Sequence, residues 1–600
     1  MNHIDEKFKE RHPSQTVARI RSILEDLGIH IVETWNDSGL DNCWSLIIRA
    51  NGRAPYANGK GITKELAQAS AYGEFMERLQ SGLFLYKYQS INRDPEINLH
   101  SYAPDAKYMT LEELEENGEW MDPIIAAYGA GLTRKKLAQQ CQMYACTDGK
   151  ILTMPFYSLF EDKYVYLPAG FVEQLYSANG CCVGNSKEEA WIHALSEIME
   201  RKGSIALLTG GKSGVRIPEE VLEQFPTVMH ILSQIRSSGK YDVDVFDTSI
   251  GNGHPIITTR IINKEDHTYV VNTGSDPVFE IAVHRTLTEI FQGKNIENFT
   301  SFHNGALLSK VTDIPLACNI MNLLETGNGN FTYDFFTEEL DQSRTFQGFA
   351  DNSNKTNTEL LQIMLNLYRD LNLPVYVRNY SFLGFHCYKF VVPGFSESRG
   401  MRLTEPYQEY ILADSAAKTF RDPMSATAAE LQLLLTFYKQ MQTILSRKNN
   451  FAYLSGVPVS IPGMVPLTLS YAAYTLGRYN EAISYLNNVI GSKSIDADTK
   501  EYLRCLSRYI SMKQVQRPDE QIKLILYKFY QKKHADMLYE RLDNGKSPYD
   551  GLLMKCDYSN CENCRYSDSC NYHSIKDLII KTGAVYNRFT EGQAKENFTF

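Results

Sequence analysis

A short acidic motif occurs twice, and its repetition constrains the fold more than any other feature. Glu74, Phe75, Met76, Glu77 and Arg78 return almost letter for letter as Glu197, Ile198, Met199, Glu200 and Arg201, 123 residues later. The first copy lies in a proline-free run of good helix formers, Glu65 to Leu79. At ~3.6 residues per turn, Ser70, Glu74, Glu77 and Arg78 fall on one helical face. A hydroxyl, two carboxylates and a guanidinium make a poor core face. Spacing leaves two readings open. The stripe is a solvated face laced with ion pairs, or two such helices face each other and hold metal ions.

Other acidic positions fall in the same register. Glu189 precedes Glu197 by a little over two helical turns and shares its face. A third helical run supplies Glu289 and Gln292. Clustered carboxylates repel one another unless protonated or bridged by a cation. Oxygen-only ligands favour Mg²⁺, which prefers to share its shell with phosphate oxygens. Arg78 and Arg201 are placed to clamp such phosphates. The usual nucleotide loops are missing. Gly210, Gly211, Lys212 and Ser213 imitate the end of a phosphate-binding loop, but Ala206 stands at its first glycine position and a helix precedes it.

The totals exclude several classes. A chain of 600 residues implies two to four domains. A net charge of −10 argues against a general nucleic-acid binder. Met1 to Arg11 is too polar for a signal segment, and no apolar run approaches the ~20 residues that cross a bilayer. The 12 cysteines then read as thiols or metal ligands in a reducing cytoplasm.

Along the chain, strands are expected at 29–34, 44–49, 151–156, 164–167, 242–248, 255–263, 267–272, 375–379 and 388–392, with helices at 17–27, 187–201 and 278–292. Asn58 to Gly61 reads as a glycine turn. Ser186 caps the helix at 187, with Glu189 completing a capping box. This mixture predicts an α/β or α+β domain over 1–425. From Ala426 the pattern turns helical. Gly477, Tyr479 and Ala482 resemble the middle of a tetratricopeptide unit, giving an all-α region at 426–516. A helical tail at 517–600 carries Cys556, Cys561, Cys564 and Cys570, with His573 nearby. Four thiols at that spacing suit Zn²⁺ or an iron–sulfur cluster, with structural Zn²⁺ favoured. Cys181 and Cys182, between small-residue turns, read as buried residues ahead of nucleophiles.

The blocks Ser70–Glu74–Glu77–Arg78, Gly184–Asn185–Glu189–Glu197–Glu200–Arg201 and Glu289–Gln292 resemble, in order and spacing, the ATP-binding signature of the YcaO superfamily. Lys9 and Thr16 resemble its N-terminal element. The tetratricopeptide-like region is similar to the bacterial subgroup after which the family is named. That resemblance implies an ATP- and Mg²⁺-dependent protein. Glu74, Glu77, Glu189, Glu197 and Glu200 are its expected Mg²⁺ ligands. Lys9, Thr16, Ser70, Arg78, Arg201 and Gln292 are its expected ATP contacts, with Glu289 touching either and Asn179 and Asn185 in matching turns. It implies amide activation. A nucleophile adds to a peptide carbonyl, the oxyanion takes the γ-phosphoryl group of ATP, and phosphate then leaves. The subgroup implies an accessory role in β-methylthiolation of a ribosomal protein beside a RimO-like radical enzyme, or a related thio-modification. A nucleotide-gated scaffold, a cyclodehydratase or thioamidation enzyme for a ribosomally made peptide, and a homodimer stay open. Azoline-forming members end in a Pro-x-Pro-x-Pro tail and often carry a fused recognition domain. Lys595 to Phe600 contains no proline and the arm is short, which weighs against that activity.

Overall fold

The structure is a computed structural model. It describes residues 4–51, 53–84, 103–129, 131–141, 149–210, 214–249, 253–299, 307–313, 316–327, 329–337, 345–398, 415–416, 418–444, 463–492, 495–556, 563–564, 567, 570 and 572–595. The chain divides into two compact units. The first comprises 1–86, 93–405 and 574–600, and the second 87–92 and 406–573.

Three antiparallel sheets build the first unit. One holds β1 (Ile31–Asn36), β2 (Trp44–Ala50) and β3 (Arg53–Gly61) in that order. A second joins β4 (Lys107–Met109), β5 (Ile151–Ser158), β12 (Tyr376–Asn379), β13 (His386–Val391) and β7 (Cys181–Gly184), with β6 (Lys163–Pro168) on β5. The third runs β11 (Thr268–Ser275), β10 (Ile256–Asn263), β9 (Tyr241–Asp247), β8 (Val215–Arg216). Every pairing among these strands is antiparallel, so the unit is α+β.

Helices α1 (Ile4–Lys7) and α2 (Pro13–Asp26) open the chain. Then one strand from each sheet feeds a helix. β3 leads into α3 (Lys64–Gln80), β7 into α4 (Lys187–Gly210) and β11 into α5 (Phe279–Ile290). Each helix packs on its own strand and on the strand of the next unit. Thus α3 touches β3 and β7, α4 touches β7 and β11, and α5 touches β11 and β3. The three units close a ring. The repeated motif of the sequence is therefore a repeated strand–helix unit.

Local chemistry explains this. The Thr63 hydroxyl accepts from the Leu66 amide at 3.2 Å and starts α3. Phe75 and Met76, interleaved with the acidic stripe, are fully buried on the opposite face. The expected glycine turn at Asn58–Gly61 is instead the end of β3. Glycine is needed there for approach, not for turning. A Cβ on Gly59 would meet the Ala67 carbonyl of α3 at 2.1 Å. Gly184 plays the same part in β7, where a Cβ would lie 2.7 Å from the Ala190 nitrogen of α4.

The last residues return to the first unit. The buried Arg378 guanidinium forks onto Asp105 at 3.0 and 2.8 Å and also donates to the Pro155 carbonyl and the Tyr586 hydroxyl, both at 3.0 Å. Tyr586 stacks on Phe382.

In the second unit, Met464–Thr475 and Tyr479–Ile490 form the expected helix hairpin, with Gly477 at φ +72. They share a core with helices Ala497–Gln514, Asp519–Phe529 and Lys532–Asp543, through Leu469, Leu486, Leu506, Leu526 and Leu538. The partition thus differs from the divisions expected at 425 and 516. Described residues from 517 to 556 and Cys570 join the helical core, and those from 574 to 595 fall in the first unit. No described helix is long and apolar enough to cross a membrane.

Candidate functional site

The ring of strand–helix units surrounds a cleft of about 690 Å³. All twelve residues singled out for Mg²⁺ or ATP line it, with Asn185 but not Asn179. Asn179 is buried beside it, and its amide donates to the Ser396 carbonyl at 2.7 Å.

Each helix brings its polar stripe to the cleft, and cations meet most of the carboxylates. Arg78 pairs with Glu74 along α3. Arg201 pairs with Glu197 at 2.9 Å along α4. Lys9 reaches Glu189 at 3.2 Å. Arg285 of α5 reaches Glu200 at 3.4 Å, and Lys60 of β3 pairs with Glu289. Of the five expected Mg²⁺ ligands, Glu77 alone has no lysine or arginine at ion-pair distance among the described residues. Burial pushes its carboxyl up to about 8, and Glu197 and Glu74 push the same way, against Arg78 and Lys389. Burial brings the Lys60 ammonium down to about 8, helped by Arg285 and opposed by Glu200, Glu74 and Glu197. The His193 imidazole, one turn from Glu189 on α4, is held well below its ordinary value by burial, then by Arg285, Lys9 and Lys60.

Two expected contacts have structural roles as well. The Ser70 hydroxyl accepts from the Lys60 amide at 3.4 Å, tying α3 to β3. The Thr16 hydroxyl donates to Asn185 at 2.9 Å. Ser186 caps α4 through the Glu189 amide at 3.2 Å, but the Glu189 carboxylate turns to the Asn185 side chain at 3.1 Å and to Lys9. Asn185 beside the helix start and Lys9 of the arm thus compete with the capping box for this carboxylate.

Lys60, Arg285, His193, Asp276 and the Asp5–His284 pair are cleft residues that the acidic stripes did not reveal. Arg285 had a usable signal, since it stands one turn before Glu289 on the same helical face. Asp5 and Lys60 had none, because only closure of the ring brings them in. Cys181 and Cys182 lie buried in β7, and burial raises both thiols, which fits inert packing.

Among the described residues, no three histidine, cysteine, aspartate or glutamate side chains already stand at metal-holding spacing. In the cleft most of the carboxylates are held by cations instead. Their chemistry nevertheless suits a divalent ion, since Glu74, Glu77, Glu189, Glu197 and Glu200 all line the cleft and offer carboxylate oxygens. In the tail, Cys561 lies outside the described residues. The Cys556 amide donates to the Arg421 carbonyl at 3.0 Å, and Cys556 and Cys570 pack against the helical core.

A cleft rich in both carboxylates and cations, ringed by three strand–helix units, defines a mixed-charge binding protein. Residues 58–396 match the family model described as YcaO cyclodehydratase, ATP- and Mg²⁺-binding. The chain belongs to the YcaO family. It is 27% identical over 398 residues to the ribosomal protein S12 methylthiotransferase accessory factor YcaO of Escherichia coli (strain K12), a match covering 65% of this chain and 66% of that relative. The chain thus spans just under two thirds of that relative's length. It is 25% identical over 569 residues to an uncharacterized protein of Haemophilus influenzae, covering 91% of this chain and 93% of that one. A solved structure of YcaO from Methanopyrus kandleri bound with AMPPCP and Mg²⁺ is 16% identical, covers 64% of this chain and 92% of that one, and gives a TM-score of 0.38.

Proposed function

We propose that this protein binds ATP with Mg²⁺ in the ring cleft and uses the γ-phosphoryl group to activate a peptide amide carbonyl. The observation that carries this reading is the charge arrangement. Four of the five expected Mg²⁺ ligands are held by cations, and the fifth, Glu77, has no lysine or arginine at ion-pair distance among the described residues and is pushed toward its neutral form. Such a site takes a polyanion and divalent ions together by exchanging partners. Lys9, Arg78, Arg201, Arg285 and Lys60 would turn from carboxylates to phosphates, and the released Glu74, Glu189, Glu197 and Glu200 would join Glu77 in holding Mg²⁺. Bound Mg²⁺ would neutralise triphosphate charge and aid in-line transfer. The residues' own work is positioning. The arginines orient phosphate oxygens bidentately, and Thr16, Ser70 and Gln292 fix the nucleotide.

Partner exchange predicts strong coupling between the two ligands. Either alone leaves displaced charges without partners. A nonhydrolysable ATP analogue should bind on the order of 100-fold more tightly with Mg²⁺ than in EDTA, and Mg²⁺ should gain the same factor from the analogue. Calorimetric titrations in both orders measure this. Equal affinity with and without Mg²⁺ would remove the basis of the reading.

For the biological role, the name of the E. coli relative supports accessory work beside a ribosomal protein methylthiotransferase, which on our reading is a RimO-like radical enzyme. The helical unit, read as tetratricopeptide-like, would dock that partner. The family description keeps cyclodehydration as the second reading, and thioamidation of a ribosomally made peptide stands beside it as our own alternative. Mass spectrometry of the proteome after deletion separates them, through a lost ribosomal-protein mark or an altered peptide.

We also propose a structural Zn²⁺ at Cys556, Cys561, Cys564 and Cys570. Metal analysis of anaerobically purified protein should find one zinc per chain, lost in Cys556→Ala. Iron and sulfide in its place would identify a cluster, and unchanged metal content in the variant would remove the site.

A further inference from the structure

The N-terminal arm, residues 4–16, is tied along one wall of the cleft by residues that no acidic stripe contains. Asp5 of α1 meets Nδ1 of His284 at 2.7 Å. His284 lies on α5 and is only 2% exposed. Its other nitrogen is buried, 3.8 Å from Glu280. Further along the arm, helix α6 (Asn357–Asp370) presents the Asn357 amide, which donates to the Phe8 carbonyl at 3.0 Å and to the Glu10 carboxylate at 2.7 Å. Ile4 and Phe8 pack against the core beneath α4 and α6. The arm then delivers its functional groups. Lys9 pairs with Glu189 at 3.2 Å, the Glu10 amide donates to the same carboxylate at 3.3 Å, and Thr16 bonds Asn185 at 2.9 Å.

We infer that Asp5, His284 and Asn357 are positioning residues for the nucleotide: they latch the arm so that Lys9 and Thr16 stand at the cleft. The proposal rests on the nucleotide reading above, and it adds residues that need not touch the ligand. A lysine on a four-carbon stem is a flexible point charge. Ordering residues 4–16 only upon binding would subtract that ordering cost from affinity. Pinning the backbone on either side of Lys9, at Asp5 and at Phe8–Glu10, removes much of it beforehand. His284 is well chosen as an anchor. The Asp5 carboxylate raises it against the effect of burial, so the pair is charge-assisted within a dry wall.

Asp5→Asn and Asn357→Ala test the latch independently in the full-length chain. Each should weaken binding of Mg²⁺–AMPPCP at least tenfold, about 1.4 kcal/mol. Each should also speed amide hydrogen exchange within residues 4–16, while the exchange of α3 and α4 stays as in the parent. Unchanged affinity in both variants overturns the positioning role, even where exchange in the arm rises. Unchanged exchange overturns the latch itself. If the parent chain binds no Mg²⁺–AMPPCP, the nucleotide reading fails and the exchange measurement alone decides whether the latch exists.

Discussion

Glu77→Gln is expected to lower ATP hydrolysis by roughly 100-fold or more, because among the described residues it removes the one expected ligand with no lysine or arginine at ion-pair distance. Glutamine keeps the shape of the side chain and loses only the charge. The same substitution should leave the metal-free fold intact or firmer. The folded carboxyl stands near 8, above its ordinary value of 4.5, so the ionised form opposes folding as pH rises through that interval. Phosphate release with saturating Mg²⁺, read beside a thermal melt in EDTA, separates the two effects. Hydrolysis at the parent rate would show that Glu77 has no part in the chemistry. A collapsed melting temperature would show that its role is structural.

Asp105→Ala is expected to be the most damaging single change to stability, at about 3–5 kcal/mol. It leaves the Arg378 guanidinium buried without its fork partner, while Arg378 also holds the Pro155 carbonyl and the Tyr586 hydroxyl. One arginine thereby joins β5, β12 and the returning C-terminal helix Tyr572–Tyr586. Replacing both partners, as Asp105→Leu with Arg378→Met, should recover most of the loss, because a buried pair offsets little more than its own desolvation. Urea unfolding of the single and double variants measures this. A loss below 1 kcal/mol in the single variant would contradict the assignment.

How much of this was legible in the sequence differs element by element. The acidic stripes were, because helical periodicity places Glu74, Glu77 and Arg78 together whatever surrounds them. Their convergence was suggested by the repeat, since two copies of one strand–helix unit set the same stripe toward the same space. The Asn58–Gly61 stretch was misread because glycine marks turns and close approaches alike. Only the position of the Ala67 carbonyl distinguishes them. Lys60, Asp5 and His284 were hidden because they lie 229 and 279 residues from their partners, and no local spacing encodes such contacts. Residues 574–600 likewise read as the end of a helical tail, yet Tyr586 belongs to the Arg378 network.

The central claim is that the ring cleft takes ATP together with divalent ions. Anomalous diffraction from crystals grown with AMPPCP and Mn²⁺ tests it most directly. The account predicts manganese peaks within about 2.2 Å of carboxylate oxygens from both α3 and α4, Glu77 among them, bridged to phosphate oxygens that Arg78 and Arg201 also contact. Nucleotide bound outside the cleft, or manganese held without any of these glutamates while their ion pairs to Lys9, Arg78, Arg201 and Arg285 persist, would contradict it.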